Sequence, residues 1–291
     1  NETLLAMVRQ NTRQPIETEG DVYSLAACND IGCCRLVEMM DEFGLESLDG
    51  LADYVCQNSY DAVMAEVAKL PRGTFRSSMT IDGYDKPLEL VAQVTISDDG
   101  IAVDYDGTSP KSRYGVNVPH AYTIAYTCFG LSCIVSPDVP NNAGSLAPFK
   151  VRAPEGSILN APYPAAVCSR HVIGQMLPDT VFGCLAQAVP ERVPAEGAAC
   201  LWNLTFRGET DRGSNDASIF CITAVTNGGT GARPSKDGLS ATAYPSGVRG
   251  TPVEINESVA PIVVWRKEYR TDSGGAGAQR GGLGQVIEVE S

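Results

Sequence analysis

The sequence predicts an α+β fold: an N-terminal helical hairpin, an antiparallel meander, further helices, and then a mostly antiparallel β region with long glycine-rich loops. Three observations lead there. Apolar residues recur at helical spacing up to about residue 69. They switch to alternation after Pro71. Helical and strand runs follow one another in blocks instead of alternating along the chain. With 291 residues and 43% hydrophobic content, the chain can bury a substantial core. The expected organisation is a helical segment over 1–72 and an α+β region over 73–291, together forming one domain.

Residues 1–15 are polar with a short apolar patch and end at Pro15. Over 19–43, Leu25, Cys28, Gly32, Leu36, Met39 and Phe43 share or border one stripe, and Gly44 suits a C-terminal cap. A second helix is expected over 47–69, with Ser47 able to cap its first turn and Pro71 as the stop. Strands follow over 74–81, 88–97 and 101–105, with Asp99-Gly100 as a hairpin turn. Residues 117–135 read as a helix. Pro137, Pro140 and Asn141-Asn142 open a loop, and short strands are expected at 149–153 and near Ile158. A helix over 170–189 follows the proline-rich stretch 161–165 and closes at Pro190. The last hundred residues read as strands at 200–207, 218–226, 252–256, 262–269 and 285–290. Glycine-rich connections occupy 227–250 and 272–284.

Composition excludes several classes. The formal net charge is −13 and no Lys/Arg cluster forms a basic face, so no nucleic-acid partner is expected. No apolar run approaches the roughly 20 residues of a membrane helix, and a cytoplasmic location is expected. The ten cysteines sit mostly in apolar segments without a CxxC pair, and there are only two histidines. Buried thiols acting as small hydrophobes are expected, and no metal ligand is assigned.

Four loops could carry chemistry. Asn141 and Asn142, with Gly144 and Ser145, suit either a structural turn or a polar contact. Ser169, Arg170 and His171 open the expected helix, where an N-terminus favours anions. His171 is one of two candidates for histidine acid–base work. Gly228, Gly229 and Thr230 lead into Arg233, Lys236 and Asp237. The glycines allow backbone approach to a ligand and the cations add charge. The spacing is neither a Walker loop nor a dinucleotide fingerprint, and a structural crossover is an equal reading. The fourth loop, 272–284, holds six glycines and Arg280. Such density points to close packing or ligand approach without deciding between them. Asp104 and Asp106 read as a solvated strand edge, and His120 as structural.

Several segments resemble the hydantoinase B/oxoprolinase family. They are Pro140-Asn-Asn-Ala-Gly-Ser145 with Ala153-Pro-Glu-Gly-Ser-Ile-Leu-Asn160, the run from Gly228 to Gly238 followed by Val248-Arg-Gly-Thr-Pro-Val-Glu254, and Asp272-Ser-Gly-Gly-Ala-Gly277 with Arg280-Gly-Gly-Leu-Gly284. The resemblance runs through nearly the whole chain in order, corresponding to the C-terminal two-thirds of such a subunit. It implies a B-type component of a hetero-oligomer that opens hydantoin, 5-oxoproline or a lactam, with ATP and Mg on a hydantoinase A-type partner. The amide or enol oxygen is then phosphorylated before attack. Subunits of the family are longer, with an N-terminal region whose His- and Asp-rich motifs are implied to bind a divalent metal in some members, so a fragment, a processed form or one half of a split subunit is expected. The resemblance also admits a ketone carboxylase subunit, and a non-catalytic scaffold is the third reading. His171 and Arg170 are the expected catalytic pair. Ser169, Asn141, Asn142, Gly228, Gly229, Thr230, Arg233, Lys236 and Asp237 are the expected substrate contacts.

Overall fold

The computed structural model describes residues 1–12, 14–199, 201–209 and 219–290. It bears out the α+β class. Eight helices and eight strands occur among the described residues. The chain forms two compact units, one of residues 1–55 with 205–223 and one of residues 56–204 with 224–291.

The first unit is built on helices. Within the polar start, residues Glu2–Asn11 form α1: Asn1 caps it by accepting the Thr3 N–H, and Glu2 sits in its first turn. Arg9 then bridges Glu2 and Glu19. Helix α2 (Pro15–Phe43) starts earlier than its apolar stripe suggests, since Pro15 is preset for the first helical turn. Gly44 ends it at φ +63°, the left-handed conformation expected of a C-cap. None of the 29 residues of α2 is buried. Helix α3 (Asp49–Val67) begins in this unit, where Ser47 Oγ accepts the Asp49 N–H.

The second unit centres on a four-stranded sheet in the order β1 (Gly73–Ile81), β2 (Leu88–Ser97), β3 (Gly100–Asp104), β4 (Phe149–Arg152). The first three strands are the expected antiparallel meander, and β4 joins parallel to β3. The hairpin turn falls on Asp98-Asp99, one residue earlier than expected, with Ser97 paired to Gly100. Gly100 adopts φ +123°, and a Cβ there would lie 2.3 Å from the Pro148 carbonyl oxygen. Only glycine lets the chain before β4 run this close to β3. Ile158 belongs to no strand, and its neighbour Ser157 makes an isolated bridge to Pro110.

Helices α4 (His120–Val135) and α7 (Leu177–Leu185) pack on each other, and α7 lies on β1 and β2. The helix expected over 170–189 is divided. A single turn, α6 (His171–Gly174), precedes α7, whose second residue is Pro178. Leu90, Ile96, Ile101, Leu131, Leu177 and Leu185 fill the space between sheet and helices, each essentially inaccessible. Burying such a side chain contributes roughly 1.5–3 kcal/mol. Tyr105 is buried among them, and its hydroxyl pairs with Thr127 Oγ1 at 2.6 Å.

Two further hairpins complete the chain: β5 (Leu201–Glu209) with β6 (Ile219–Asn227), and β7 (Val263–Tyr269) with β8 (Gln285–Glu290). The expected starts at Cys200 and Ser218 lie outside the described residues. The strand expected at 252–256 is instead helix α8 (Val253–Val259), entered from Pro252 with Glu254 in its first turn. The cysteine expectation also needs correction. Of the nine described thiols, all free, only Cys128 and Cys184 are buried; Cys28, Cys33, Cys34, Cys133 and Cys168 are exposed. The three on α2 follow from that helix burying none of its residues. No helix among the described residues is long and apolar enough to cross a membrane.

The layered core predicts a sharp contrast in urea unfolding. Leu185→Ala, inside the core, should cost about 2–5 kcal/mol. Leu25→Ala, on the open surface of α2, should stay within about 0.5 kcal/mol. Equal losses would contradict the packing described.

Candidate functional site

The two glycine-rich connections expected at 227–250 and 272–284 meet in space. Gly282 N–H donates to the Thr230 carbonyl (2.9 Å), Gly238 N–H to the Arg280 carbonyl (2.7 Å) and Ala241 N–H to the Leu283 carbonyl (2.9 Å). Asp237 Oδ1 accepts the Arg280 N–H at 2.7 Å. A third segment, residues 195–198, pairs along the same loop through Ala195 N–H to the Ala232 carbonyl and Ala198 N–H to the Gly229 carbonyl.

This zipper accounts for the glycines. A Cβ on Gly229 would lie 2.1 Å from the Gly282 oxygen, and one on Gly282 would lie 2.1 Å from the Leu239 oxygen. Backbone passes backbone with no room for a side chain between them. Gly275, by contrast, has open space around it.

Between these segments lies a cavity of about 560 Å³. Glu196, Trp202, Arg270, Ser273, Gln279 and Gln285 bring the side-chain chemistry, and Gly228, Gly229 and Thr230 form part of the wall. Gln285 Oε1 is buried and accepts no hydrogen bond. A buried acceptor without a donor is unusual, because desolvating it without a partner costs free energy. Composition could not single out Glu196, Arg270 or Gln285, which lie in unremarkable sequence.

The residues expected to form the site divide into three places. Gly228, Gly229 and Thr230 line the cavity, while Arg233, Lys236 and Asp237 make an adjoining turn. There Arg233 donates through Nε and Nη2 to the Asp237 carbonyl, and its own N–H bonds the Lys236 carbonyl. Asn142 caps the short helix α5 (Ala143–Leu146) in a reciprocal pair with Ser145, and its Nδ2 donates to Ser59 Oγ on α3 at 2.7 Å. A structural role therefore occupies its amide. Neighbouring Asn141 is exposed.

Ser169, Arg170 and His171 form the third place and do not line the cavity. Their helix is one turn long, too short for the dipole expected of it. Arg170 lies over the Tyr122 ring, 5.6 Å from its centre. His171 Nε2 is 2.9 Å from Asn203 Nδ2. Because that amide nitrogen can only donate, Nε2 accepts and the ring proton rests on Nδ1. Partial burial, aided by the Arg170 charge, holds the imidazole below its usual pKa, so it is neutral at pH 7. Asn203 follows Trp202 of the cavity wall, and Ser246 Oγ donates to Gln175 Oε1 at 3.0 Å.

Behind the 195–198 segment lies Asp179, in the first turn of α7 and only 8% exposed. Its Oδ2 has no hydrogen-bond partner. Burial, reinforced by the Glu196 charge and opposed by the Gly197 amide, pushes its pKa up to about 7. Tyr244 stands close enough for Asp179 to act on it, and its buried hydroxyl also lacks a partner. Among the described residues, no three His, Cys, Asp or Glu side chains converge so as to hold a metal ion.

Comparison with known proteins matches the hydantoinase B/oxoprolinase family model to residues 1–291. The chain is 31% identical to 5-oxoprolinase 1 of Arabidopsis thaliana, covering 96% of this chain and 22% of that protein. It is 27% identical to caprolactamase subunit beta of Pseudomonas jessenii, covering 99% and 51%. The crystal structure of the ATP-dependent caprolactamase from that organism superposes on the whole chain with a TM-score of 0.88 at 25% identity, over 51% of the solved chain. A nucleotide-free acetone carboxylase shares the fold over 79% of this chain and 33% of its own, with a TM-score of 0.66 at 20% identity. The chain thus spans about half, or less, of the length of the curated relatives it matches.

Two outcomes test this geometry. Gly282→Ala should lower stability by about 1–3 kcal/mol in thermal unfolding, whereas Gly275→Ala should change it little. Asp179 makes a pH-dependent contribution. The folded carboxyl keeps its proton to about pH 7, whereas the unfolded one releases it near the ordinary 3.8. Folding stability should therefore fall as pH rises from about 4 to 7, by on the order of 4 kcal/mol. Asp179→Asn should flatten that slope.

Proposed function

The chain belongs to the hydantoinase B/oxoprolinase family, and from that premise we propose that it is the B-type component of a cytoplasmic, ATP-dependent enzyme that opens a cyclic amide. Hydantoin, 5-oxoproline and lactams are the substrate class. The names of the relatives support this, since they include a 5-oxoprolinase and a caprolactamase subunit. ATP and Mg would be held by a hydantoinase A-type partner in a hetero-oligomer. When bound there, the nucleotide supplies a phosphoryl group that makes the amide carbon open to attack.

The observation that favours a cyclic amide is the pairing of groups in the glycine-walled cavity. An amide ring offers one N–H donor and one carbonyl acceptor. Gln285 Oε1 is an acceptor that lacks a donor, and Arg270 is a cation on the same wall. Arg270 accordingly faces the ring carbonyl oxygen or the charge that develops on it, and a turn of the Gln285 side chain that brings its buried Oε1 out of the wall lets it take the ring N–H. A cavity of about 560 Å³ has ample room for a five- to seven-membered ring.

The test is co-purification with an A-type subunit followed by turnover assays. ATP hydrolysis should depend on hydantoin, 5-oxoproline or caprolactam and need no bicarbonate. Turnover that requires bicarbonate and a ketone would instead establish the carboxylase reading. Arg270→Ala should raise KM by about 10- to 100-fold, the effect of losing one charged hydrogen bond. The same assay on the triple alanine variant of Arg170, His171 and Arg233 separates a cavity that binds alone from one that shares its ligand with those side chains.

A further inference from the structure

Among the described residues that line the glycine-walled cavity, Trp202 is the one aromatic, and 54% of it is exposed. Much of the remaining wall is main chain and small side chains, such as Ala195, Ala198, Gly229 and Gly282. A large, half-open indole in those surroundings is the flat apolar surface that the cavity offers a ligand.

The strand fixes which way the indole points. Successive side chains of a β-strand leave opposite faces. Asn203 turns its amide to His171 Nε2, 2.9 Å away, and His171 does not line the cavity. Trp202, one residue before, therefore takes the other face of β5, the face that meets the cavity. Its carbonyl accepts from Thr226 Oγ1 at 3.4 Å, and Thr226 is buried on the neighbouring β6. The strand is thus tethered at Asn203 and at Trp202 itself.

We propose that Trp202 is the specificity-determining residue of the cavity, a platform on which a flat, uncharged ring stacks. The proposal rests on the cyclic-amide reading and narrows it. All but one of the ring atoms of hydantoin are trigonal, so the ring is flat and its whole face can meet the indole. Caprolactam is largely a run of methylenes, and its ring puckers. Both fit a cavity of about 560 Å³, but the flat ring keeps more of its atoms in van der Waals contact with one aromatic face.

Charge sets the rest of the preference. Glu196 and Arg270 are the charged residues among the described lining, one of each sign. Arg270 faces the ring carbonyl. A ring with a carboxylate of its own, such as 5-oxoproline, would bring that charge into a space shared with Glu196, and the described lining holds no second cation to meet it.

Two measurements test this. In the complex with an A-type subunit and ATP, KM is compared for hydantoin and caprolactam on each variant. Trp202→Ala should raise KM for hydantoin about 5- to 10-fold and KM for caprolactam by less than about twofold, and Trp202→Phe should recover most of the loss. Taking the ratio of the two substrates removes any general loss of folded enzyme. Equal effects on both rings, or no effect, would overturn the platform while leaving the cyclic-amide reading intact. So would a wild-type complex with a lower KM for caprolactam or 5-oxoproline than for hydantoin. The second measurement uses this chain alone, whose two tryptophans are Trp202 and Trp265. In Trp265→Phe the emission reports Trp202, and millimolar hydantoin should quench it to saturation, with caprolactam quenching it less. Unmoved emission would overturn the stacking. If the wild-type complex opened no cyclic amide, that reading would fail, and the emission would decide the platform by itself.

Discussion

The site depends on backbone passing backbone without a side chain between. Where Gly229 crosses Gly282, and Gly282 crosses Leu239, the separation leaves no space for even a methyl group. Each glycine gives up more conformational freedom on ordering than any other residue. The hydrogen bonds from Gly282 to Thr230 and from Gly238 to Arg280 offset that cost and lock the two loops together. Once locked, they cannot collapse onto each other, because their contact distance is set by main-chain atoms. The cavity is the space that this rigid crossing leaves beside the 195–198 segment.

The β hairpins and the core serve the same end. β7 and β8 bring both ends of the 270–285 connection to one place, and Arg270 and Gln285 stand at those ends. The β6 strand delivers the 228–232 wall. α7, pinned to the sheet by Leu177 and Leu185, carries Asp179 to the back of the wall. These side chains are thus placed by short links to ordered elements, which is how a loop-built cavity keeps its geometry. Of the buried polar atoms left without partners, Gln285 Oε1 belongs to a residue of the cavity wall.

Much of the fold was legible because it rests on period. The alternation over 74–81 and 88–97 marked β1 and β2, and Gly44 marked the end of α2. Failures came where a capping residue outweighed composition. Pro252 with Glu254 turns an apparent strand into α8. Thiol burial was misjudged because the apolar stripe of α2 does not face a core within its own unit. For the site, glycine density flagged the two loops but not their mutual crossing, a contact between residues some fifty positions apart. Glu196, Arg270 and Gln285 carry no local signature. Asp179 sits in a helix start that reads as an ordinary acidic first turn.

The proposed role of the glycine-loop crossing is to create the pocket that receives the reacting ring. A structure of the complex with an A-type subunit and caprolactam tests it most directly. The lactam should lie between residues 195–198, 228–232 and 270–285, with its carbonyl toward Arg270. A ring bound wholly outside those segments, with the cavity filled only by solvent, would contradict it.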